Sequence, residues 1–280
     1  MIYTISNKEM AVSVSDIGAE VVSVIRKGVE RVWQNENGSW PRHSPVLFPV
    51  CGNSAVVIGG EDYGMFVHGF ARNSVFSVEK IAVESLTFSL VYNDDTFQVY
   101  PYQFKLSLTY SIKENALLIE NKVENLGDRT MPFALGRHDS FLLDKPIGNY
   151  KICFDKQEQF LSQEVDNSGK LLNLYSDLGR GTEFLLLEEY LVDGKTIIFG
   201  KINSRKITLK TSDDKFIAEL SSDYADNLLL WRPADAQMIC IELWSALPDS
   251  ADKSIEFDLN EKYCSLNTNE EKIMMFKIEY

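Results

Sequence analysis

Histidine is scarce in this chain: its 280 residues include three, His43, His68 and His138. No two have the spacing of paired metal ligands and no H-E-x-x-H occurs, so a metal site has no signal. Cysteine is almost as sparse. Cys51, Cys153, Cys240 and Cys264 are widely scattered beside apolar neighbours, the pattern of free buried thiols. Positive charge is in short supply too, with 28 Lys and Arg against 41 Asp and Glu and a formal net charge of −13. That balance speaks against nucleic acid or an anionic membrane surface as a partner, because both require a cationic face. No apolar run reaches about 18 residues, so no membrane-spanning helix is expected. The opening MIYTISNKEMAVSVSD has no basic stretch followed by an apolar core, and a reducing, cytoplasmic location is the simplest expectation. G-x-S-x-G and Walker motifs are missing, and no G-x-G-x-x-G opens a helix, so a dinucleotide cofactor is unsupported.

Long helical periodicity is missing as well. What remains is strand alternation. FKLSLTYSI places Phe104, Leu106, Leu108, Tyr110 and Ile112 on one face, and LLIENKVEN repeats the pattern after the turn KENA, which reads as a hairpin. YKICF, KTIIFGK, KITLKTS, FIAELSS, NLLLWRP, MICIELW and SIEFDLN follow in the same style, divided by Asp, Asn, Gly, Ser and Pro clusters. Only SQEVDNSGKLL and EFLLLEEYL could hold short helical turns. Many short strands at close spacing predict an all-β fold, a large antiparallel β-sandwich. With no linker or internal repeat in view, one domain spanning residues 1–280 is expected, and a chain of this length can bury a core without covalent staples.

Three stretches carry chemistry. In ALGRHDSF, alternation puts His138 on one face with the small residues Ala134, Gly136 and Ser140, and Arg137 and Asp139 on the other, where they can pair. His138 is either a satisfied core histidine or a group facing a ligand. In FVHGFAR, an extended backbone would align Phe66, His68, Phe70 and Arg72 into a face suited to a hydroxyl-rich ring; the alternative is a turn at Gly69 with an exposed histidine. In MICIELWSALPD, Ile239, Ile241 and Leu243 form a core face, opposite Met238, Cys240, Glu242 and Trp244. A carboxylate between a cysteine and a tryptophan is either paired with a nearby cation or held with a raised pKa as a general base.

Taken in order, IGAEVVSVIRKGVERVWQ, WPRHSPVLFPVCG, HGFAR, YPYQFKLSLTYSI, VENLGDRTMPFALGRH and CIELWSALPD resemble the aldose 1-epimerases (galactose mutarotases), and within them the bacterial LacX-like branch. The resemblance covers most of the chain. It implies a β-sandwich of the galactose mutarotase type with a sugar as small-molecule partner and no cofactor. It also implies Glu242 as base and His138 as acid, with His68, Arg72, Asn53 and Trp244 in the substrate pocket. The chain departs from the family pattern at Asp139 and Leu243, where proline is usual, and at Asn53, where an arginine is common. A family aspartate ahead of the IIF strand has Asp193 or Lys195 as its counterpart. These departures leave the proton-transfer pair and alter the pocket. Two further readings follow: a carbohydrate-binding or sensing protein of this fold without turnover, and a mutarotase for a phosphorylated or acidic sugar, with Arg42, Arg72, Arg137 and Arg232 as a cationic patch.

Overall fold

The computed structural model describes residues 1–253 and 255–280. Four strands form an N-terminal antiparallel sheet: β1 (Ile2–Ser6), β2 (Met10–Ser15), β3 (Val21–Arg26) and β4 (Val29–Glu30). In β2 the alternation is direct, with Met10, Val12 and Val14 buried and the residues between them half-exposed. Two short pairs come from β6 (Val57–Ile58) with β7 (Glu61–Asp62) and from β12 (Met131–Phe133) with β21 (Cys264–Leu266).

The remaining strands join one 14-stranded sheet. In chain order they are β5 (Val46–Leu47), β8 (Ser77–Ile81), β9 (Ser85–Val91), β10 (Phe104–Lys113), β11 (Ala116–Asn125), β13 (Gly136–Leu142), β14 (Tyr150–Val165) and β15 (Leu171–Leu185). After these come β16 (Ile197–Lys201), β17 (Lys206–Thr211), β18 (Phe216–Ser222), β19 (Asn227–Trp231), β20 (Met238–Trp244) and β22 (Glu271–Glu279). In space the order is β5-β13-β20-β19-β16-β14-β17-β18-β22-β11-β10-β9-β8, with β15 hanging from β14. The expected β10–β11 hairpin pairs Phe104 with Asn125 through to Lys113 with Ala116.

The sheet curls so that distant strands meet across the core. Phe141 of β13 packs on Tyr280 beyond β22, with ring centres 6.2 Å apart, and Phe48 after β5 packs on Phe104 of β10 at 5.2 Å. The N-terminal sheet closes the same core: Tyr3 meets Phe88 at 5.7 Å, and the Tyr110 hydroxyl donates to the Ala19 carbonyl at 2.5 Å. The result is an all-β antiparallel sandwich, as the alternation predicts. All four cysteines are free thiols, two of them, Cys51 and Cys240, fully buried.

The structure differs from the sequence reading at several local points. SIEFDLN, expected as a strand, holds the 3₁₀ turn Phe257–Leu259 among its described residues. SQEVDNSGKLL is no helical turn. It is the tip of the β14–β15 hairpin, where the Asp166 carboxylate accepts from the backbone of Ser168 and Lys170 and closes a tight turn. EFLLLEEYL runs out of β15 and does hold a short helical turn, the 3₁₀ turn Glu188–Tyr190, in agreement with the sequence. An unanticipated helix, α1 (Asp94–Val99), starts at Asn93, whose side chain accepts from Thr96 N while the Thr96 hydroxyl accepts from Asn93 N.

Candidate active site

β13 and β20 run antiparallel with His138 directly opposite Glu242, and on its other side Glu242 faces Leu229 of β19. Residues two apart on a strand share a face, so Trp244 and Trp231 fall on the same side as this pair. With Ile198 of β16 they floor a cavity of about 370 Å³. Its walls are Trp40, Gly52, Asn53, Val67, His68, Arg72, Thr196 and Pro248, with Val165, Ser168 and Gly169 from the β14–β15 hairpin. All six residues expected in a sugar site, Glu242, His138, His68, Arg72, Asn53 and Trp244, line this one cavity. Three larger concavities, about 700 Å³ around Tyr102 and Arg129, about 600 Å³ beside Leu187 and Val192 and about 500 Å³ around Arg31 and Tyr150, hold none of them.

His138 Nε2 and Glu242 Oε2 lie 3.3 Å apart, both side chains almost out of solvent. The approach is off the hydrogen-bond direction. Glu242 Oε2, His138 Nδ1 and the Trp244 indole Nε1 are buried without a hydrogen-bond partner among the described residues. Polar atoms in that condition normally mark a place where a partner belongs. Burial, reinforced by the Asp139 charge, pushes the Glu242 carboxyl well above the usual carboxylate range, with Trp244 and Arg72 pulling weakly the other way. Burial, and after it the Arg72 charge, brings the His138 imidazole down to about 3. Burial therefore opposes charge on each of the two groups.

The alternation assigned the neighbours of His138 correctly. Arg137 and Asp139 turn to the core face, where NH2 and Oδ1 form an ion pair 2.6 Å long with no solvent exposure of the arginine. The space above Gly136, however, belongs to the protein: a Cβ there would meet Cys51 Sγ at 2.8 Å and Trp244 Cδ1 at 2.9 Å. Trp40 also stacks on His138, with ring centres 4.9 Å apart, and Trp231 stands edge-on to both rings. The Trp231 indole is fixed by donating to the Gly194 carbonyl at 2.9 Å. Trp40 and Trp231 were not singled out from sequence. Each sits within a segment read there only as a strand or a family motif.

The FVHGFAR stretch is not extended. His68 and Gly69 both take positive φ, 65° and 73°, and Ala71–Asn73 form a 3₁₀ turn. Phe66 is therefore exposed and Phe70 buried in the core, rather than aligned on one face. Gly69 makes the turn possible: it lies against the Phe48–Pro49 backbone, where any Cβ would overlap the Phe48 carbonyl and sit 2.8 Å from Pro49 N. His68 still reaches the cavity, its ring 5.2 Å from Trp244 and 5.7 Å from His138. Its Nδ1 accepts from Gly52 N at 3.1 Å, which puts the proton on Nε2 and makes His68 a neutral donor toward the cavity. Arg72 NH2 donates to the Val67 carbonyl at 2.9 Å, and its Nε is buried and unpartnered among the described residues.

Other residues proposed from sequence fall elsewhere. Asp193 is exposed in a short turn, and exposed Lys195 approaches Glu164 at 3.4 Å; the cavity residue at this point is Thr196. The four arginines do not converge. Arg42 lies 3.6 Å from Glu20, Arg232 pairs with Glu188, and Arg137 is in the core, which leaves Arg72 alone at the cavity. His43 is also outside it, held beside Glu20.

The aldose 1-epimerase family model matches residues 1–254. Among curated proteins, the chain is 28% identical over 275 residues to the chromosomal LacX protein of Lactococcus lactis subsp. lactis, with 90% of each chain covered. Among solved structures it is similar to a galactose mutarotase-like protein from Lactobacillus casei, with TM-score 0.91, 25% identity and coverage of 100% and 99% of the two chains. A galactose mutarotase related enzyme from Lactobacillus acidophilus gives TM-score 0.90 at 28% identity, with coverage of 100% and 97%. On the family match and these relatives, the chain belongs to the aldose 1-epimerase family.

Proposed function

We propose that the protein is a mutarotase that interconverts the α and β anomers of a free, neutral aldose, with Glu242 as base and His138 as acid. The observation that carries this reading is the His138–Glu242 pair on one rung of the sheet, 3.3 Å apart at the floor of an aromatic-walled cavity. Anomer exchange needs a proton acceptor at the anomeric hydroxyl and a donor at the ring oxygen, two oxygens borne by the same carbon. Side chains directly opposed on neighbouring strands have the short separation that such a pair of oxygens requires. Glu242 takes the hydroxyl proton, His138 gives a proton to the ring oxygen, and the C1–O5 bond breaks as the C1 carbonyl forms. Rotation about C1–C2 and the reverse transfers close the other anomer and return both protons. Nothing is oxidised or reduced, so the chemistry calls for no redox partner.

Trp40, Trp231 and Trp244 supply apolar faces for the C–H surface of a pyranose ring, while His68 Nε2 and Arg72 supply donors for its hydroxyls. A single cationic side chain at the cavity favours a neutral sugar over a phosphorylated one. The test is NMR saturation transfer between anomers across a panel of aldoses. Glu242→Gln and His138→Asn should each lose roughly 10²–10⁴-fold in turnover, the usual contribution of a positioned acid or base. Saturable sugar binding with no exchange faster than buffer would overturn the reading in favour of a binding protein.

A further inference from the structure

Asn53 stands where the family commonly has an arginine, and its amide is already committed: Nδ2 donates to the Ser168 carbonyl at 2.7 Å. Ser168 lies at the tip of the β14–β15 hairpin, whose arms are 16 and 15 residues long and whose outer strand pairs with β14 along its length. The tip is internally stiff. One oxygen of Asp166 accepts from Ser168 N at 2.8 Å, from the Ser168 hydroxyl at 2.7 Å and from Lys170 N at 3.0 Å. Its base is tied to the segment after β20, because Leu171 N donates to the Asp249 carbonyl and Ala251 N to the Leu171 carbonyl, both at 2.8 Å. Asp249 N in turn donates to the Asn53 carbonyl at 3.1 Å, and the Asp249 carboxylate holds Ala55 N at 2.8 Å and Lys262 Nζ at 2.6 Å. Three remote chain segments thus interlock at one rim of the cavity, and Asn53, Ser168, Gly169 and Pro248 face into it.

We propose that this interlock is a length gate: by fixing the hairpin tip across one end of the cavity, Asn53 confines the site to free monosaccharides and turns away reducing sugars that carry a further ring. The inference rests on the sugar-site reading above and adds the substrate class. Without Asn53, residues 166–170 beyond the Leu171 tie are held only by their own turn and can yield to a longer ligand. A tip held to Asn53 presents a wall, and a wall discriminates by exclusion rather than by added attraction. Asn53 is then a positioning residue acting through Ser168.

Anomer exchange is measured by NMR for monosaccharides and for reducing disaccharides, with the wild type, Asn53→Ala and Asp166→Ala. The wild type should prefer monosaccharides. Both variants should raise the disaccharide-to-monosaccharide ratio of kcat/KM by roughly threefold to tenfold, the effect of one lost hydrogen bond, mainly through KM. Amide hydrogen exchange at residues 168–170 should quicken in both. Asp166 is not a cavity residue, so agreement between the two variants separates a displaced wall from a lost direct contact. The gate is overturned if the wild type handles disaccharides as well as monosaccharides, if the ratio is unchanged in both variants, or if Asn53→Ala alone moves it. Calorimetric binding of the same sugars to Glu242→Gln provides a readout independent of turnover. A size cut-off in binding with no anomer exchange by the wild type would sink the mutarotase and leave the gate. Exchange with an unchanged ratio would sink the gate and leave the mutarotase, and binding of neither sugar would sink both.

Discussion

Replacing Gly69 with alanine tests how the His68 turn is made. The φ of +73° places an alanine there in the left-handed region, which costs about 1–2 kcal/mol. The new methyl group also has no room: it overlaps the Phe48 carbonyl and sits 2.8 Å from Pro49 N, both backbone atoms that no rotamer change can move aside. Forced displacement of packed atoms adds about 1–3 kcal/mol, for a total of about 2–5 kcal/mol. Gly38 supplies the control, with φ of +74° and nothing within 4 Å of its Cβ position, so Gly38→Ala carries the backbone cost alone. Urea denaturation of both variants isolates the close-approach cost as the difference between them. Because the displaced backbone carries His68, Gly69→Ala should also lose sugar turnover while Gly38→Ala keeps it. Equal destabilisation of the two variants, within about 0.5 kcal/mol, would refute the contact as the reason for glycine at position 69.

The buried pair sets a second expectation. His138 titrates at 6.5 when unperturbed and at about 3 in the fold, so its contribution to stability is complete above 6.5 and is lost as pH falls through that interval. His138→Gln should flatten this acid limb in urea midpoints measured from pH 7 to pH 3. The Glu242 carboxyl is shifted upward, so its contribution is present below 4.5 and is lost as pH rises toward the raised value. Glu242→Gln should accordingly raise the urea midpoint at pH 8 while removing turnover, and a lowered midpoint there would contradict the assignment. Asp139→Ala strands the fully buried Arg137 without its counter-ion and should cost about 3–5 kcal/mol in the same assay. An effect below about 1 kcal/mol would mean that the arginine finds other compensation.

Strand pattern was the most legible level, because a two-residue period shows in the letters themselves. The same period placed His138 apart from Arg137 and Asp139, and Glu242 apart from Ile241 and Leu243. It failed at FVHGFAR, where the determining fact is a close backbone approach between Gly69 and Phe48, a tertiary contact without a local signature. It failed at SQEVDNSGKLL because Asp166 and Gly169 favour a hairpin turn over a helical one. Helix α1 was hidden by its length of six residues, too short for an amphipathic stripe, although Asn93 and Thr96 have capping-box spacing. The aromatic walls were missed for another reason. Trp40 and Trp231 reach His138 from separate loop and strand positions, and one sequence carries no record of which tryptophans converge. Asn53 was legible as a departure from the family, but its commitment to Ser168, 115 residues away, was not.

His138 and Glu242 occupy one rung of adjacent strands, yet the chain between them builds six other strands of the main sheet before β20 returns to pair with β13. Closing so long a loop is slow relative to forming local hairpins such as β10–β11. During refolding of a chain with the proposed mutarotase activity, β-structure should therefore appear before catalysis, and the return of anomer exchange should coincide with the docking of β20 on β13. The proposed activity would then be a clock for the completion of the central sheet. A one-residue slip of that pairing would carry Glu242 to the core face and extinguish it.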